Sequence, residues 1–353
     1  MASQYSSGPA RPRERRHAEL EAEQRHARVL VQCLGQPLCI GNRVRWLEEP
    51  LAELSAAVAR TRQQLQLDQS LLRDAPAALH QALLAAARRG VHVALRGGAQ
   101  LTPGAEALRR SGALLGLPSR WRRWWPRRQA ALPLLLADGR FAFITPGGTQ
   151  APALALEGPV VPALQQAFLE DWSQRLQPEL PARRYQVLQT VAGLQQLATV
   201  PPEHPQGAAQ ALRGALLQAL ATAQSRIRLS LAPGEKPGPA LLRALCQAAW
   251  RGVDVQLLLS RPGRALGLLE RSGACCRLLP AVPAPWPGPR GSARAGALPP
   301  GPALVVVDGL WAALGTPRLS DEPAPVLLDA DTGAELERHF KRRFDAAARP
   351  APG

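Results

Sequence analysis

The chain has 353 residues, which is enough for two domains or for one duplicated domain with a core in each copy. Hydrophobic residues make up 46% and charged residues 20%, so most of the chain should be globular and extended disorder is excluded. The formal net charge is +16 and is almost entirely due to arginine. This excess predicts an anionic partner, either phospholipid headgroups or nucleic acid.

The cysteines and the hydropathy indicate the compartment. The five cysteines are odd in number, include an adjacent pair and form no CxxC motif: Cys33, Cys39, Cys246, Cys275 and Cys276. We therefore expect reduced thiols, with no disulfide framework, metal site or cofactor. The N-terminus has no apolar signal-peptide core, and no apolar run approaches the ~18 residues that span a bilayer. The predicted location is cytoplasmic, with any contact with the inner membrane being peripheral.

Polarity divides the chain into three parts. Residues 1–27 are rich in arginine and glutamate and predict a disordered basic tail that leads into a helix. Pro178 and Pro181 punctuate a helix end, so residues 28–180 are predicted to form a first half and residues 181–348 a second half.

The two halves repeat each other. Four features recur in the same order, at offsets of 161 to 170 positions: Leu65 and Leu67 as Ile227 and Leu229, Ala78–Val93 as Ala240–Val255, Arg110–Ala113 as Arg271–Ala274, and Asp138-Gly139 as Asp308-Gly309. A single match could arise by chance in a chain rich in alanine and leucine, but four matches in order indicate internal duplication.

Each half contains the same predicted elements. A helix and a short strand precede a second helix, at Ala77–Arg88 or Pro239–Trp250, which ends at an Arg-Gly pair. A strand follows, and later an Asp-Gly turn joins two apolar strands as a hairpin. The predicted fold class is α/β, with two similar halves, each a mixed sheet flanked by helices, packed as a pseudo-two-fold duplicate.

These residues resemble a known family. The order of the "AL..AA.RGV.V" segments, the apolar strands before Asp-Gly and the Gly-rich turns after them resembles both halves of the phospholipase D superfamily, particularly bacterial cardiolipin synthases. Further matches are Gly158-Pro159-Val160, Phe168–Trp172 and Leu188–Gly193. The resemblance extends from about Val29 to Ala347 and implies the superfamily's two-halved fold, in a bacterial protein.

The resemblance also implies a chemistry, phosphodiester transfer. Each half of such an enzyme supplies an H-x-K motif, then D-G four residues later, then a turn that carries asparagine. One histidine attacks phosphorus, the other protonates the leaving group, and the lysines and asparagines stabilise the charge on the phosphoryl oxygens.

The residues for that chemistry are missing from this chain. The H-x-K positions are occupied by Ala131 and Pro133 in the first half and by Gly301 and Ala303 in the second. Gln150 and Arg318 stand at the two asparagine positions. None of the four H-x-K replacements can attack, protonate or neutralise a phosphoryl group, so the superfamily's reaction is predicted to be absent.

One segment combines tryptophan with arginine. It comprises Arg120, Trp121, Arg122, Arg123, Trp124, Trp125, Pro126, Arg127 and Arg128. Indole rings favour the membrane interface and guanidinium groups bind phosphate, which together suit an anionic phospholipid surface. The same mixture suits single-stranded nucleic acid, and it is also compatible with tryptophans that only pack beneath the domain.

Three functions remain open on the sequence. The first is a catalytically degenerate protein that binds anionic phospholipid or a phosphodiester, with Gln150, Arg318 and the Trp/Arg segment as ligand-binding residues, or that scaffolds an active protein partner. The second is an active phosphatidyltransferase or phospholipase with a rearranged site, which requires a histidine that converges with arginines. The third is a nucleic-acid-binding protein.

Overall fold

The computed structural model describes most of the chain. The described residues are 12–34, 38–73, 75–97, 101–117, 134–145, 148–149, 151–173, 195–198, 205–231, 236–260, 264–279, 303–314 and 326–348.

In the first half, helices and strands alternate in the predicted order. The helices are α1 (Pro12–Leu34), α2 (Leu51–Arg60), α3 (Ala77–Arg88), α4 (Pro103–Arg110) and α5 (Val160–Ser173). The strands are β1 (Cys39–Leu47), β2 (Gln64–Asp68), β3 (His92–Arg96), β4 (Leu114–Gly116), β5 (Leu134–Ala137), β6 (Phe141–Ile144) and β7 (Ala153–Glu157).

The second half has the same succession of elements. The helices are α6 (Pro205–Thr222), α7 (Pro239–Trp250), α8 (Arg264–Arg271) and α9 (Ala330–Ala346). The strands are β8 (Gln195–Ala198), β9 (Arg226–Ser230), β10 (Asp254–Leu259), β11 (Cys275–Leu278), β12 (Leu304–Val307), β13 (Trp311–Leu314) and β14 (Val326–Leu328).

The strands have the same topology in both halves. In the first half, β4, β3 and β2 are parallel and β2, β5, β6, β7 and β1 are antiparallel. The second half repeats this pattern from β11 to β8, and the halves join where β1 pairs with β8, with Asn42 opposite Gln195. The prediction of two similar α/β halves, each with a mixed sheet flanked by helices, is confirmed.

The repeated Arg-Gly pair has a folding role in each half. Gly90 and Gly252 end α3 and α7 with φ values of 85° and 87°, which only glycine adopts without strain. The Arg89 guanidinium donates to the carbonyl oxygens of Val58, Ala59 and Thr61 at the end of α2. Arg251 does the same at the end of α6. The pair thus ends one helix and satisfies the free carbonyls of the helix before it.

Three apolar cores hold these elements together. One lies between the first-half strands and α2, α3 and α4, and its second-half equivalent lies between the strands and α1, α6, α7 and α8. The third core is shared by the halves: α5 and α9 contribute Phe168, Trp172, Phe340 and Phe344, and strands of both halves pack against them. The two aromatic pairs are each stacked one helical turn apart, at 5.9 and 5.5 Å between ring centroids.

A long-range cap fixes the start of α5. The buried Asn42 side chain of β1 accepts a hydrogen bond from the Val160 amide at 2.8 Å and donates one to the Cys39 carbonyl at 2.8 Å. Gly158 has a φ of 116°, and a Cβ there would come within 2.9 Å of the Gly41 carbonyl oxygen. The Gly-Pro-Val motif therefore marks the place where α5 starts against β1.

Helix α1 begins at Pro12, within the segment that the sequence predicts to be a tail leading into a helix. Residues 12–34 form α1, and Ala22, His26 and Leu30 on this helix are buried. Leu30 belongs to the second-half core, and α1 packs against α6. Helix α1 is rich in charged residues and has few regularly spaced apolar ones. Its own sequence therefore does not show that it packs on the second half. The predicted boundary near residue 180 lies outside the described residues.

The two Asp-Gly turns are tied to the neighbouring strands. Asp138 has a φ of 50° and its carboxylate accepts hydrogen bonds from the amides of Arg62, Gln63 and Gln64, each at 2.9 Å. Asp308 has a φ of 54° and accepts from the amides that precede β9 and begin it. Burial alone would favour the neutral acid, but His26 and these amides lower the pKa of Asp308. Each carboxylate thus holds a hairpin turn, through hydrogen bonds, at the start of the neighbouring strand, β2 or β9.

Replacing Asp138 with glycine tests this role. Glycine tolerates the positive φ, so Asp138→Gly removes the carboxylate without adding backbone strain. We expect the free energy of unfolding to fall by about 2 kcal/mol, because three backbone amides lose a charged acceptor. Urea denaturation followed by circular dichroism measures the change. Asp345→Ala is the control, because this exposed carboxylate only faces Arg277 at 4.0 Å. Equal effects of the two variants would contradict the role.

Candidate functional site

The predicted H-x-K positions lie immediately before β5 and β12. Of the four, the structure describes Ala303, which is buried at the start of β12. Ala131, Pro133 and Gly301 lie outside the described residues, as do Gln150, Arg318 and the segment from Arg120 to Arg128. Their positions relative to each other therefore stay predictions. The described residues around the starts of β5 and β12 nevertheless define two polar clusters.

In the first half, this region holds a buried ion-pair cluster. Arg96, at the end of β3, donates to both carboxylate oxygens of Asp68 at 2.5 and 2.7 Å. It also donates to Asp171 of α5 at 3.4 Å, and its guanidinium lies 5.0 Å from the centre of the Phe168 ring. Asp68 further accepts from the amide of Leu134, the residue after Pro133.

The charge of Arg96 is compensated within the first-half cluster. Burial disfavours the charge on Arg96, but Asp68 and Asp171 outweigh burial and raise the pKa of the guanidinium. Two carboxylates and the Phe168 ring therefore surround a single cation. This cluster positions β2, β3 and α5 against each other. Its two carboxylates already supply the counter-charge of Arg96, so a further anion is not favoured there.

The second half has a different set of residues at the corresponding places. Ser230 stands for Asp68 and Leu258 for Arg96, both 162 positions later. Because Phe340 and Phe344 match Phe168 and Trp172 in the two helices, Arg343 corresponds to Asp171. A helix carboxylate has thus become a guanidinium, and the strand residues that would balance it carry no charge.

Arg343 is a buried cation without a carboxylate. Its side chain is 5% exposed, and its Nη1 lies 3.5 Å from the Ser230 hydroxyl, at the limit of a hydrogen bond. Its Nε has no acceptor among the described residues, and no described carboxylate lies within 4 Å. Burial lowers the pKa of Arg343 accordingly. Ser230 pairs with Leu304 across the sheet, so this cation lies near the start of β12.

One helical turn before Arg343, His339 contacts the first half. Its Nδ1 lies 3.1 Å from Glu48 Oε1, and its ring stands edge-on to Trp46 at 5.1 Å. Glu48 also accepts from Trp46 Nε1 at 3.2 Å and from the Arg342 guanidinium. Burial lowers the pKa of His339 despite Glu48, so the neutral imidazole is favoured. Its Nε2 is buried and, within the described segments, has no partner.

The other histidines whose side chains are described lie elsewhere. His80 packs on Gly104 of α4, and His92 is exposed at the start of β3. His26 of α1 is fully buried, with its Nε2 3.7 Å from the Asp308 carboxylate. His339 is therefore the described histidine that lies near an unpaired cation.

Two further searches of the described residues bear on cofactors and membranes. Within those residues there is no group of three or more histidine, cysteine or acidic side chains that could hold a metal ion. Nor does any described helix have the length and apolarity needed to cross a bilayer.

Comparisons with solved structures identify the fold. The structure is similar to phosphatidylserine synthase from Haemophilus influenzae Rd KW20, with a TM-score of 0.60 and 9% identity over 93% of this chain and 91% of that one. It is similar to polyphosphate kinase from Porphyromonas gingivalis, with a TM-score of 0.51 and 13% identity over 86% of this chain. The chain spans 50% of the length of that kinase. No family profile and no curated protein sequence matches the chain.

The chain has the fold of the phospholipase D superfamily. The fold inferred from the Asp-Gly hairpins and the repeated helix ends is therefore confirmed. Sequence reasoning missed the clusters around Arg96 and Arg343, which come from residues far apart in the chain. One feature could have revealed Arg343: the closing motif "F..DW" of the first half reads "F..RF" at residues 340–344, with a reversed charge.

Replacing Arg96 tests whether the first-half ion-pair cluster stabilises the fold. Arg96→Met leaves Asp68 and Asp171 without their cation in the interior, so we expect a loss of about 3–5 kcal/mol in the free energy of unfolding. Chemical denaturation measures it. Arg109→Met is the control, because it breaks an exposed ion pair within α4. The double variant Asp68→Leu/Arg96→Met should recover part of the loss, since both charges are removed. Indistinguishable curves for Arg96→Met and Arg109→Met would rule out a structural role for the cluster.

Proposed function

We propose that this chain is a catalytically degenerate protein of phospholipase D fold that binds anionic phospholipid through its phosphate group. The observation that carries the proposal is the pair of Ala303 and Arg343. By the resemblance, alanine stands where the superfamily's second lysine would neutralise a phosphoryl oxygen. A buried guanidinium with no carboxylate partner among the described residues contacts Ser230, which pairs with Leu304, the residue after Ala303. A positive charge is retained at this place without the histidine or lysine that transfer chemistry requires.

The residues from Arg120 to Arg128 are proposed to supply the surface contact. Three tryptophans would enter the headgroup region while five arginines pair with lipid phosphates. Each basic residue near an anionic leaflet contributes about 1 kcal/mol, so the segment could hold the chain on a membrane without a spanning helix. Gln150 and Arg318 are proposed to line the same ligand site.

A second candidate function is a phosphodiester-transferring enzyme with a rearranged site. The specific observation that favours it is His339: its Nδ1 faces Glu48, its Nε2 has no partner among the described residues, and burial lowers the pKa of its ring. A carboxylate-oriented neutral imidazole is the form in which histidine acts as a nucleophile or base. Against this, the other histidines whose side chains are described lie elsewhere, so the described residues offer no second imidazole beside His339 to protonate the leaving group.

An assay for product separates the two candidates. Purified chain is incubated with radiolabelled phosphatidylglycerol, and lipids are separated by thin-layer chromatography to detect cardiolipin and phosphatidic acid. We expect no product beside an active cardiolipin synthase as control, because the attacking and protonating groups are absent. Product that persists in the wild-type chain and disappears in His339→Gln would refute the degenerate reading and establish the rearranged site.

A vesicle assay tests the proposed lipid contact. In a cosedimentation assay, the variant Trp121→Ala/Trp124→Ala/Trp125→Ala should bind phosphatidylglycerol vesicles at least roughly tenfold more weakly, because three interfacial indoles are removed. Trp250→Ala is the matched control, since Trp250 is 72% exposed on the outer helix α7. Sedimentation that is unchanged in the triple variant would refute the contact. Binding to oligonucleotides that weakens linearly in log salt, without binding to vesicles, would instead favour a nucleic-acid partner.

A further inference from the structure

Among the described residues, the buried Arg343 guanidinium has no carboxylate to supply the counter-charge that an interior cation requires. Moving a cation out of water costs several kcal/mol unless a carboxylate or another anion compensates it. In the first half, the equivalent space holds Arg96 with two carboxylates. In the second half, Ser230 replaces the nearer carboxylate and offers one hydroxyl at 3.5 Å. The described residues therefore compensate the buried charge at only one of two equivalent places.

Glu48, the carboxylate that contacts α9 from the first half, is already in use. Glu48 receives hydrogen bonds from Trp46 and Arg342 and faces His339 Nδ1. Arg342, the neighbour of Arg343, takes this carboxylate from the exposed side of the helix. Glu48 therefore holds α9 against the first half and is not the counter-ion of Arg343.

The surroundings of Arg343 suit an oxyanion. Its unpaired Nε and the Ser230 hydroxyl are hydrogen-bond donors that lie close together, and guanidinium binds planar or tetrahedral oxyanions through several parallel N–H groups. Ser230 is paired with Leu304, next to Ala303 at the start of β12. The donors thus lie between a helix and a strand end at the boundary of the two halves.

We propose that Arg343, assisted by Ser230, is the receptor for a phosphate group, with the charge supplied from α9 instead of from β12. The proposal deepens the proposed function and rests on it for the choice of phosphate as the oxyanion. A bound phosphate would supply the counter-charge that the second half lacks. The same chemistry could come from a lipid headgroup or from a soluble phosphate ester, and the experiment distinguishes these sources.

The test is thermal unfolding of the full-length chain at constant ionic strength. Inorganic phosphate and the water-soluble diester glycerophosphoglycerol are titrated separately, with sodium chloride lowered to compensate. We expect the wild-type melting temperature to rise with at least one of them, because a ligand that binds only the folded state stabilises it. In Arg343→Met the apparent dissociation constant should weaken at least roughly tenfold, since the charged donor is lost.

Two further variants separate a receptor from a structural arginine. Arg342→Met removes an arginine that is 62% exposed at the next position, and it should keep the full response to phosphate. Arg343→Lys keeps the charge but loses the fork of donors, so its response should be intermediate. Without phosphate, Arg343→Met should melt at or above the wild-type temperature, because a receptor cation costs stability that methionine does not.

The outcomes assign the ligand source or overturn the proposal. A response to inorganic phosphate and to the diester that is lost in Arg343→Met supports a general phosphate receptor, and a response to the diester alone supports a lipid headgroup. The proposal is overturned by a wild-type chain that responds to neither, by an equal response in Arg343→Met, or by destabilisation of Arg343→Met in phosphate-free buffer. These titrations contain no lipid bilayer, so a failure of the lipid contact shows separately in the vesicle assay of the tryptophan variant.

Discussion

The shared core of α5 and α9 is the constraint on which the rest of the structure depends. Both helices turn their aromatic residues toward the place where the two halves meet, and strands of both halves close over them. Because this side of each helix is covered, polar residues next to the aromatic ones are buried as well. Asp171, His339 and Arg343 are therefore placed in low-polarity surroundings by the packing of their neighbours, and each needs a partner there.

The two halves meet that need differently. In the first half, β2 and β3 supply Asp68 and Arg96, and Asp171 of α5 adds a second carboxylate beside the same cation. In the second half, the same strand positions hold Ser230 and Leu258, while the helix position holds Arg343. The two halves thus share their backbone hydrogen-bonding pattern. Among the described residues, however, the buried cation is paired with carboxylates only in the first half. A protein rarely retains an uncompensated buried charge unless it contributes to something other than stability.

The motifs that recur in both halves are those with folding roles. Asp138 and Asp308 bind the amides at the starts of β2 and β9, while Arg89 and Arg251 bind the carbonyls at the ends of α2 and α6. Each of these side chains satisfies backbone groups that would otherwise lack partners in the interior.

The sequence by itself determined the elements and the repeat. Hydrophobic periodicity, Asp-Gly turns and Arg-Gly helix ends are local features of the sequence. They therefore predicted α3, α7, β6 and the hairpins from adjacent residues. The tertiary structure decided what distant residues do together: α1 packs on the second half, Asn42 caps α5, and Arg343 comes to lie beside Ser230. The sequence could not predict these because each depends on contacts between elements separated by more than a hundred positions. Burial turns an ordinary arginine in a basic chain into an uncompensated cation, and burial is a property of the packed fold.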